Sequence, residues 1–312
     1  MSLPQERKLL KLQLLAPSQI PAHPALESVQ SNASADLTSF VSQLLSEGKH
    51  FADEVIPKTF KHVKIQRLPR SRGGDVEVLA GGKEVDDPAG NGGRGEYWFA
   101  RRSTHTLLPD GIQEQGKASW GEFVDALFVD HSVKEGEYTP DVYDSHRVCD
   151  WDTELQGKTI DGWENISLQI YEMAHAINFP LQPRVFSTLV LTARDSENSY
   201  MDVQIPVDIS SVPSAKYSNG KNRTEGTTAQ QRKKAVIGRY VSVERCRKVP
   251  GESEIVQWDM ATASDAAGIL PMAVQKMALP GVIAKDVEFV MNWAAKKRAS
   301  GEPRVASGGS AS

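Results

Sequence analysis

The order of strand-like and helical segments is the feature that most restricts how this chain can fold. Strand-like runs, separated mostly by short connections, lie at 60–68, 75–79, 96–102, 145–150, 165–174, 184–193, 199–207, 236–247 and 254–262. Helical periodicity appears at 35–51, at 120–128 and, near the end of the chain, at 270–297. Because strands and helices do not alternate as they do in βαβ units, this order predicts an antiparallel α+β fold.

The run at 199–207 has the clearest alternation of apolar and polar residues. Met201, Val203 and Ile205 occupy every second position, whereas Asp202 and Gln204 lie between them. Successive side chains of a strand point to opposite faces of a sheet. The pattern therefore predicts a half-buried strand whose polar face is turned away from the core.

The helical segment at 270–297 carries apolar side chains on more than one stripe. That breadth favours burial on several sides over a single contact face. Met272 and Met277 are unbranched and suited to lining a cavity around a hydrophobic ligand, although core packing is the simpler explanation for either residue alone. Pro280 and Gly281 interrupt the segment, and we expect a kink or a break there.

The composition is that of an ordinary globular protein, with 39% hydrophobic and 24% charged residues. The formal net charge of −4 argues against nucleic acid as a partner, and no apolar run approaches the roughly 18 residues of a transmembrane helix. We expect a cytoplasmic location, with peripheral membrane contact as a further option. Residues 1–33 predict a flexible N-terminal arm, residues 34–298 a folded domain, and residues 299–312 a disordered tail.

The sequence carries none of the common catalytic or metal-binding motifs. Cys149 and Cys246 lie far apart without a CxxC partner, which argues against a disulfide framework and a zinc site. The glycine-rich stretch 72–95 contains no GxxxxGK[ST] or GxGxxG between a strand and a helix, so we expect a loop between strands there. A GxSxG elbow and an HExxH motif are also missing. We therefore predict no cofactor, no metal ion and no catalytic residues.

Three segments resemble the START-like superfamily, which includes StAR-related lipid transfer and Bet v 1-type helix-grip proteins. They are Arg184–Leu191 (RVFSTLVL), in which Val185 replaces an acidic residue of the family pattern, Ser199–Ile205 (SYMDVQI), and Trp258–Pro271 (WDMATASDAAGILP). The resemblance spans residues 35–298, is best over 94–298, and points to a fungal branch known chiefly as a domain of unknown function. It implies a helix-grip fold, in which a curved antiparallel sheet wraps around the long C-terminal helix and encloses a hydrophobic cavity.

The resemblance also implies a function, the non-catalytic binding or transfer of a lipid or another hydrophobic small molecule. It places a loop over the cavity mouth at 174–183, whose apolar residues either dip into a membrane or fold onto the core. Arg184 or Thr262 is expected to orient the polar end of the ligand. The candidate ligand-binding residues are Tyr171, His175, Ile177, Phe179, Leu181, Arg184, Trp258, Met260, Thr262, Met272, Met277 and Ile283.

Two other functions remain open from the sequence. One is a cyclase- or hydrolase-like enzyme on the same fold, with His175 as acid or base. The other is a protein-interaction adaptor.

Positive charge is concentrated in the segment 216–248, before and within the strand-like run at 236–247. Between Lys216 and Lys248 there are ten basic residues and two acidic ones. We expect this segment either to contact an anionic membrane transiently or, over 215–228, to form a disordered insertion.

Overall fold

A computed structural model of the chain describes residues 8–30, 34–81, 96–109, 112–177, 181–265, 267 and 272–301, and for residues 253 and 272–278 it describes the backbone alone. The helices are α1 (Leu37–His50), α2 (Ile56–Thr59), α3 (Trp120–Leu127), α4 (His131–Tyr138), α5 (Asp152–Leu155), α6 (Asn222–Glu225) and α7 (Met272–Ser300). The strands are β1 (Phe60–Arg67), β2 (Asp75–Gly81), β3 (Trp98–Thr106), β4 (Val142–Asp150), β5 (Glu164–His175), β6 (Arg184–Ser196), β7 (Ser199–Pro206), β8 (Val236–Val249) and β9 (Glu252–Asp265). A π-helical turn joins α1 to α2, and short 3-10 helices lie at Pro17–Gln19, Pro24–Leu26 and Arg70–Arg72.

One curved sheet contains all of these strands. Its order is β1-β2-β3-β9-β8-β7-β6-β5-β4, and neighbouring strands run antiparallel. A short parallel pairing joins Arg184–Phe186 of β6 to Val236–Gly238 of β8. The long helix α7 packs on the sheet, with contacts to β2 and β3. The predicted α+β helix-grip architecture is confirmed.

Helices cover both faces of the sheet. On the outer face, α1 lies close to β7 because Gly48 has no side chain; a Cβ atom there would lie 2.6 Å from Cγ2 of Val203. On the inner face, α7 packs with α3 and α4, and its Val287 and Val290 share an apolar cluster with Val78 of β2. Where both faces are covered, as at β7, the polar positions of a strand are buried as well as the apolar ones, whereas most of β1 at the sheet edge is exposed.

The N-terminal segment 8–30 packs against the outer core, whereas the sequence predicts a flexible arm over 1–33. Leu10, Ile20 and Leu26 are buried in the same cluster as residues of α1 and β7. Leu15 pairs with the end of β7, since its N–H donates to the carbonyl of Pro206 at 3.0 Å. Burying each such side chain contributes about 1.5–3 kcal/mol, which offsets the entropy lost on ordering the segment. Residues 1–7 and 302–312 lie outside the described residues, as does the glycine-rich stretch 82–95.

Of the kink or break expected at Pro280 and Gly281, the break is not found, because the terminal helix continues through both residues. A proline removes one backbone donor from a helix, and the packing of α7 as a whole against the sheet and α4 offsets that loss. No helix in the described parts of the chain is long and apolar enough to cross a membrane.

Candidate ligand-binding pocket

A pocket of about 220 Å³ lies between α7 and the inner face of the sheet. Strands β5, β6, β8 and β9 supply one wall and α7 supplies the other. Most of the lining surface is apolar, and it includes the side chains of Met173, Phe186, Met260, Leu279, Ile283 and Phe289. The pocket is therefore mostly apolar and lies next to α7, the helix whose sequence has apolar residues on more than one stripe.

One end of the pocket adjoins a smaller space of about 40 Å³ that charged and polar groups surround. The two spaces have Gln204, Tyr240 and Met260 in common. A molecule in the larger space would thus place one end against these polar groups. We call the following residues the polar cluster: Arg101, His131, Glu135, Asp202, Glu244 and Asp286.

Strand register brings most of the polar cluster together. Arg101 of β3 lies opposite Met260 of β9, Met260 lies opposite Glu244 of β8, and Glu244 lies opposite Asp202 of β7. Cross-strand neighbours on one face have Cβ atoms about 4.5–5.5 Å apart, so these residues form a continuous row. His131, the first residue of α4, meets the row from the helical layer, with Nε2 3.7 Å from Oδ2 of Asp202.

Arg101 and Glu244 form a buried ion pair at the base of the polar space. Nη2 of Arg101 donates to Oε1 of Glu244 at 2.8 Å, and Nε1 of Trp258 donates to the same oxygen at 2.7 Å. The guanidinium carbon lies 3.9 Å from the centroid of the Trp258 ring. Nε of Arg101 also lies 3.8 Å from Oδ2 of Asp286 on α7. These contacts hold the guanidinium in one orientation between the sheet and α7.

His131 and Asp202 form a second charged pair. Burial opposes a charge on His131, but the carboxylates of Asp202, Glu135 and Glu244 outweigh it and raise the pKa of His131 to about 9. Burial raises the pKa of Asp202 to about 7, although His131 acts in the opposite direction. Gln204 lies between them, with its Nε2 3.1 Å from Nε2 of His131 and 3.3 Å from Oδ2 of Asp202.

The acids Glu135 and Asp286 complete the polar cluster. About a quarter of each side chain is exposed, and both line the two spaces, so the exposed surface faces the pocket. Burial within the protein raises the pKa of Glu135 and raises that of Asp286 to about 7. The cluster thus holds more carboxyl groups than cationic side chains.

The structure brings several of the predicted ligand-binding residues to this site. His175, Met260, Thr262 and Ile283 line the larger pocket, and Trp258 and Met260 line the polar space. Thr262 turns its hydroxyl to the carbonyl of Val241 at 3.0 Å, so that group is already engaged.

The other predicted residues take different positions. Tyr171 packs with Val142 and Met173, and the guanidinium of Arg184 donates to the carbonyls of Gln182 and Ala267. In the part of the chain that the structure describes, these two and the partly buried Ile177 and Leu181 do not line the pocket. Phe179 lies outside the described residues, as do the side chains of Met272 and Met277.

Sequence reasoning missed the polar cluster. The one available signal was the polar face of the strand at 199–207, since Asp202 and Gln204 alternate with apolar residues there. The prediction that this strand is half-buried is wrong, because every residue of β7 is buried. Its polar face is turned inward, toward α4 and the pocket.

A neutral histidine beside the polar cluster makes stability depend on pH. Burial, followed by the charge of Arg101, lowers the pKa of His105 to about 4 from 6.5. Between these two values the unfolded chain binds a proton that the folded chain does not, so stability falls as the pH falls below about 6.5. We expect His105 to reduce the free energy of unfolding by about 2 kcal/mol between pH 7 and pH 5.

Urea unfolding of His105→Gln at both pH values measures this effect. The difference between pH 7 and pH 5 should shrink by about 2 kcal/mol relative to the wild type. His62→Gln replaces a half-exposed histidine on β1 and serves as the surface control. An unaltered difference in His105→Gln would refute the assignment.

Comparison with known proteins agrees with the architecture. The model of the DUF3074 family, described as a protein of unknown function, matches residues 98–294, and no curated protein matches the sequence. Human StAR-related lipid transfer protein 5 is similar in structure, with 13% identity and a TM-score of 0.51 over 84% of this chain and 100% of that chain. Human STARD10 is similar with 13% identity and a TM-score of 0.50 over 82% of each chain.

These similarities at 13% identity establish the fold. The family match covers more than half of the chain and includes β3 to β9 and most of α7. The chain therefore belongs to the DUF3074 family and has a START-like helix-grip fold.

Proposed function

We propose that this protein binds one hydrophobic small molecule, such as a single-chain lipid, in the pocket between α7 and the sheet. The observation that carries the proposal is an apolar pocket that ends at a buried cation with unused donors. Arg101 is 1% exposed, and its Nε and Nη1 atoms have no hydrogen-bond partner among the described residues. A carbonyl, hydroxyl or carboxylate at the polar end of a ligand would accept these hydrogen bonds while its apolar body fills the larger space.

The size of the pocket restricts the ligand. A dry cavity of about 150 Å³ is known to hold benzene, and drug-sized ligands occupy pockets of about 300–1,000 Å³. At about 220 Å³ the pocket suits a short acyl chain or a molecule of one or two rings. A diacyl lipid would require α7 to move away from the sheet.

Transfer of the ligand between membranes is part of the proposal, and two observations support it. One structural relative bears the name lipid transfer protein. The segment that leads into β8 also exposes a group of bases, and β8 starts close to a pocket residue, since Val236 pairs with Arg184 and Arg184 pairs with His175. Each base near an anionic membrane contributes about 1 kcal/mol of attraction. The exposed bases are Lys221, Arg223, Arg232, Lys233 and Lys234.

Filling the pocket tests the proposal. Ser264 of β9 lines the pocket, and Ser264→Trp places an indole ring in it without changing α7. We expect the wild type to carry or extract a ligand that native mass spectrometry detects, and Ser264→Trp to bind it at least about tenfold more weakly. The panel should contain single-chain fatty acids, small aromatic acids and diacyl lipids, offered in vesicles with and without phosphatidylserine.

A serine-to-tryptophan change in the pocket is matched by a tryptophan substitution on the exposed side of α7 as the control. Lys285 lies on the exposed side of α7, so Lys285→Trp adds an indole without entering the pocket and should keep wild-type binding. Wild-type protein that stays empty across the whole panel would overturn the proposal. Equal binding by wild type and Ser264→Trp would show that the ligand sits elsewhere.

A further inference from the structure

Three polar side chains of the cluster meet at one point although they come from three different elements. They are His131 of α4, Asp202 of β7 and Glu244 of β8. One nitrogen or oxygen atom from each lies within 4.8 Å of the others, and all three residues are buried. One imidazole and two carboxylates are a donor set that divalent transition metals accept.

The orientation of His131 suits a metal ligand. Its Nδ1 lies 2.9 Å from the carbonyl oxygen of Leu127, so that nitrogen carries the proton and donates to the backbone. In the neutral ring Nε2 is then the acceptor nitrogen, with the amide nitrogen of Gln204 3.1 Å away and Oδ2 of Asp202 3.7 Å away. A metal ion would replace the Gln204 amide as the partner of Nε2. Histidines that bind metals typically donate their other ring N–H to a backbone carbonyl or carboxylate in this way.

Asp202 supplies an independent indication that a group is to be bound here. It is 2% exposed, and its Oδ1 atom has no hydrogen-bond partner among the described residues. A buried carboxylate oxygen without a partner is costly, and it is commonly explained by an ion or water that completes the site. The polar cluster also places four carboxyl groups against only Arg101 and His131.

We propose that His131, Asp202 and Glu244 bind one divalent transition-metal ion, of the Zn²⁺ or Mn²⁺ class, at the polar end of the pocket. Bonds of about 2.0–2.2 Å require the three donor atoms to move together by about 1 Å. Arg101 and Trp258 both donate to Oε1 of Glu244, so they fix the carboxylate while the metal engages its other oxygen. The proton on Nε2 of His131 leaves to bulk solvent when the metal binds.

This inference does not depend on the proposed hydrophobic ligand, because the metal alone is the probe. Purified chain is stripped with EDTA, dialysed, and titrated with ZnCl₂, MnCl₂ or MgCl₂ in the absence of lipid. We expect saturable binding of one Zn²⁺ or Mn²⁺ per chain. A hundredfold excess of metal over Kd should raise Tm by about 5 °C or more. Calorimetry in two buffers of different ionisation enthalpy should detect the release of protons when the metal binds. Mg²⁺, which prefers oxygen ligands, should leave Tm unchanged.

Substitutions locate the metal. Asp202→Asn and His131→Gln keep the side-chain size and should each weaken Zn²⁺ binding by at least about tenfold. Asp195→Asn removes a carboxylate at the β6–β7 turn, where it pairs with Arg245, and should keep wild-type binding. A wild type that shows no saturable Zn²⁺ or Mn²⁺ binding overturns the proposal even if a variant fails to fold. Undiminished binding in both Asp202→Asn and His131→Gln overturns it too.

Discussion

Arg101→Met is expected to lower the free energy of unfolding by about 3–5 kcal/mol, measured in urea with EDTA present. The guanidinium is 1% exposed and lies 2.8 Å from Oε1 of Glu244 and 3.9 Å from the Trp258 ring. Methionine fills much of the same volume, so the loss comes mainly from charge. Removing the cation leaves the carboxylate of Glu244 buried beside Asp202 and Asp286 without its ion-pair partner, with the N–H of Trp258 as its remaining donor.

A double-mutant cycle separates this cause from lost packing. Glu244→Gln in the Arg101→Met background removes the unpaired charge and should recover about half of the lost stability. Arg72→Met breaks an exposed pair with Glu288, in which Arg72 is 55% exposed, and should change the stability by less than about 1 kcal/mol. Strict additivity of the two core substitutions would refute the charge argument.

The order of the elements could be predicted because it rests on local signals. Ser119 followed by Glu122 predicts the start of a helix, and both hydrogen bonds of that capping box are present where α3 begins at Trp120. Strand positions could likewise be read from alternation and from turn residues. Such signals act within a few residues of the chain and need no knowledge of distant partners.

The covering of each sheet face could not be predicted in the same way. Alternation in β7 assigns Asp202 and Gln204 to one face, but it does not say what lies over that face. The pattern predicts solvent over this face, but the short polar helix α4 covers it. This helix begins directly after Asp130, whose backbone has a left-handed conformation with φ of 48°. A polar segment of that kind gives no apolar periodicity from which to predict a buried contact.

The polar cluster depends on register across the sheet, which local patterns do not contain. Arg101, Glu244 and Asp202 become neighbours only once β3, β9, β8 and β7 are aligned. By contrast, His175, Met260, Thr262 and Ile283 were proposed from a family resemblance that already includes the strand order. Their position in the pocket follows from the fold, whereas the charges at its end belong to residues that the resemblance did not include.

The segment 208–235 is also more ordered than its composition suggests, and one acid accounts for much of this. Glu172 of β5 is completely buried, and its carboxylate accepts backbone N–H groups of Lys216 at 2.7 Å, Tyr217 at 3.0 Å and Ser218 at 2.6 Å. Asp144 of β4 holds Nζ of Lys216 at 2.8 Å. The prediction of a disordered insertion at 215–228 is therefore wrong. Hydrogen bonds to Glu172 and Asp144, two acids on earlier strands of the sheet, fix the segment near Lys216.

Glu172→Ala is expected to lower the free energy of unfolding by about 3–5 kcal/mol, since it leaves three backbone donors without their acceptor. The loss should be local as well as global, so trypsin should cleave after Lys221 or Arg223 much faster in the variant under native conditions. Glu172→Gln keeps one acceptor oxygen and should lose about half as much. Glu164→Ala changes an exposed acid at the start of the same strand and should behave as the wild type. If Glu172→Ala kept wild-type resistance to trypsin, the segment would have to be held by its other contacts, and the role assigned to Glu172 would be wrong.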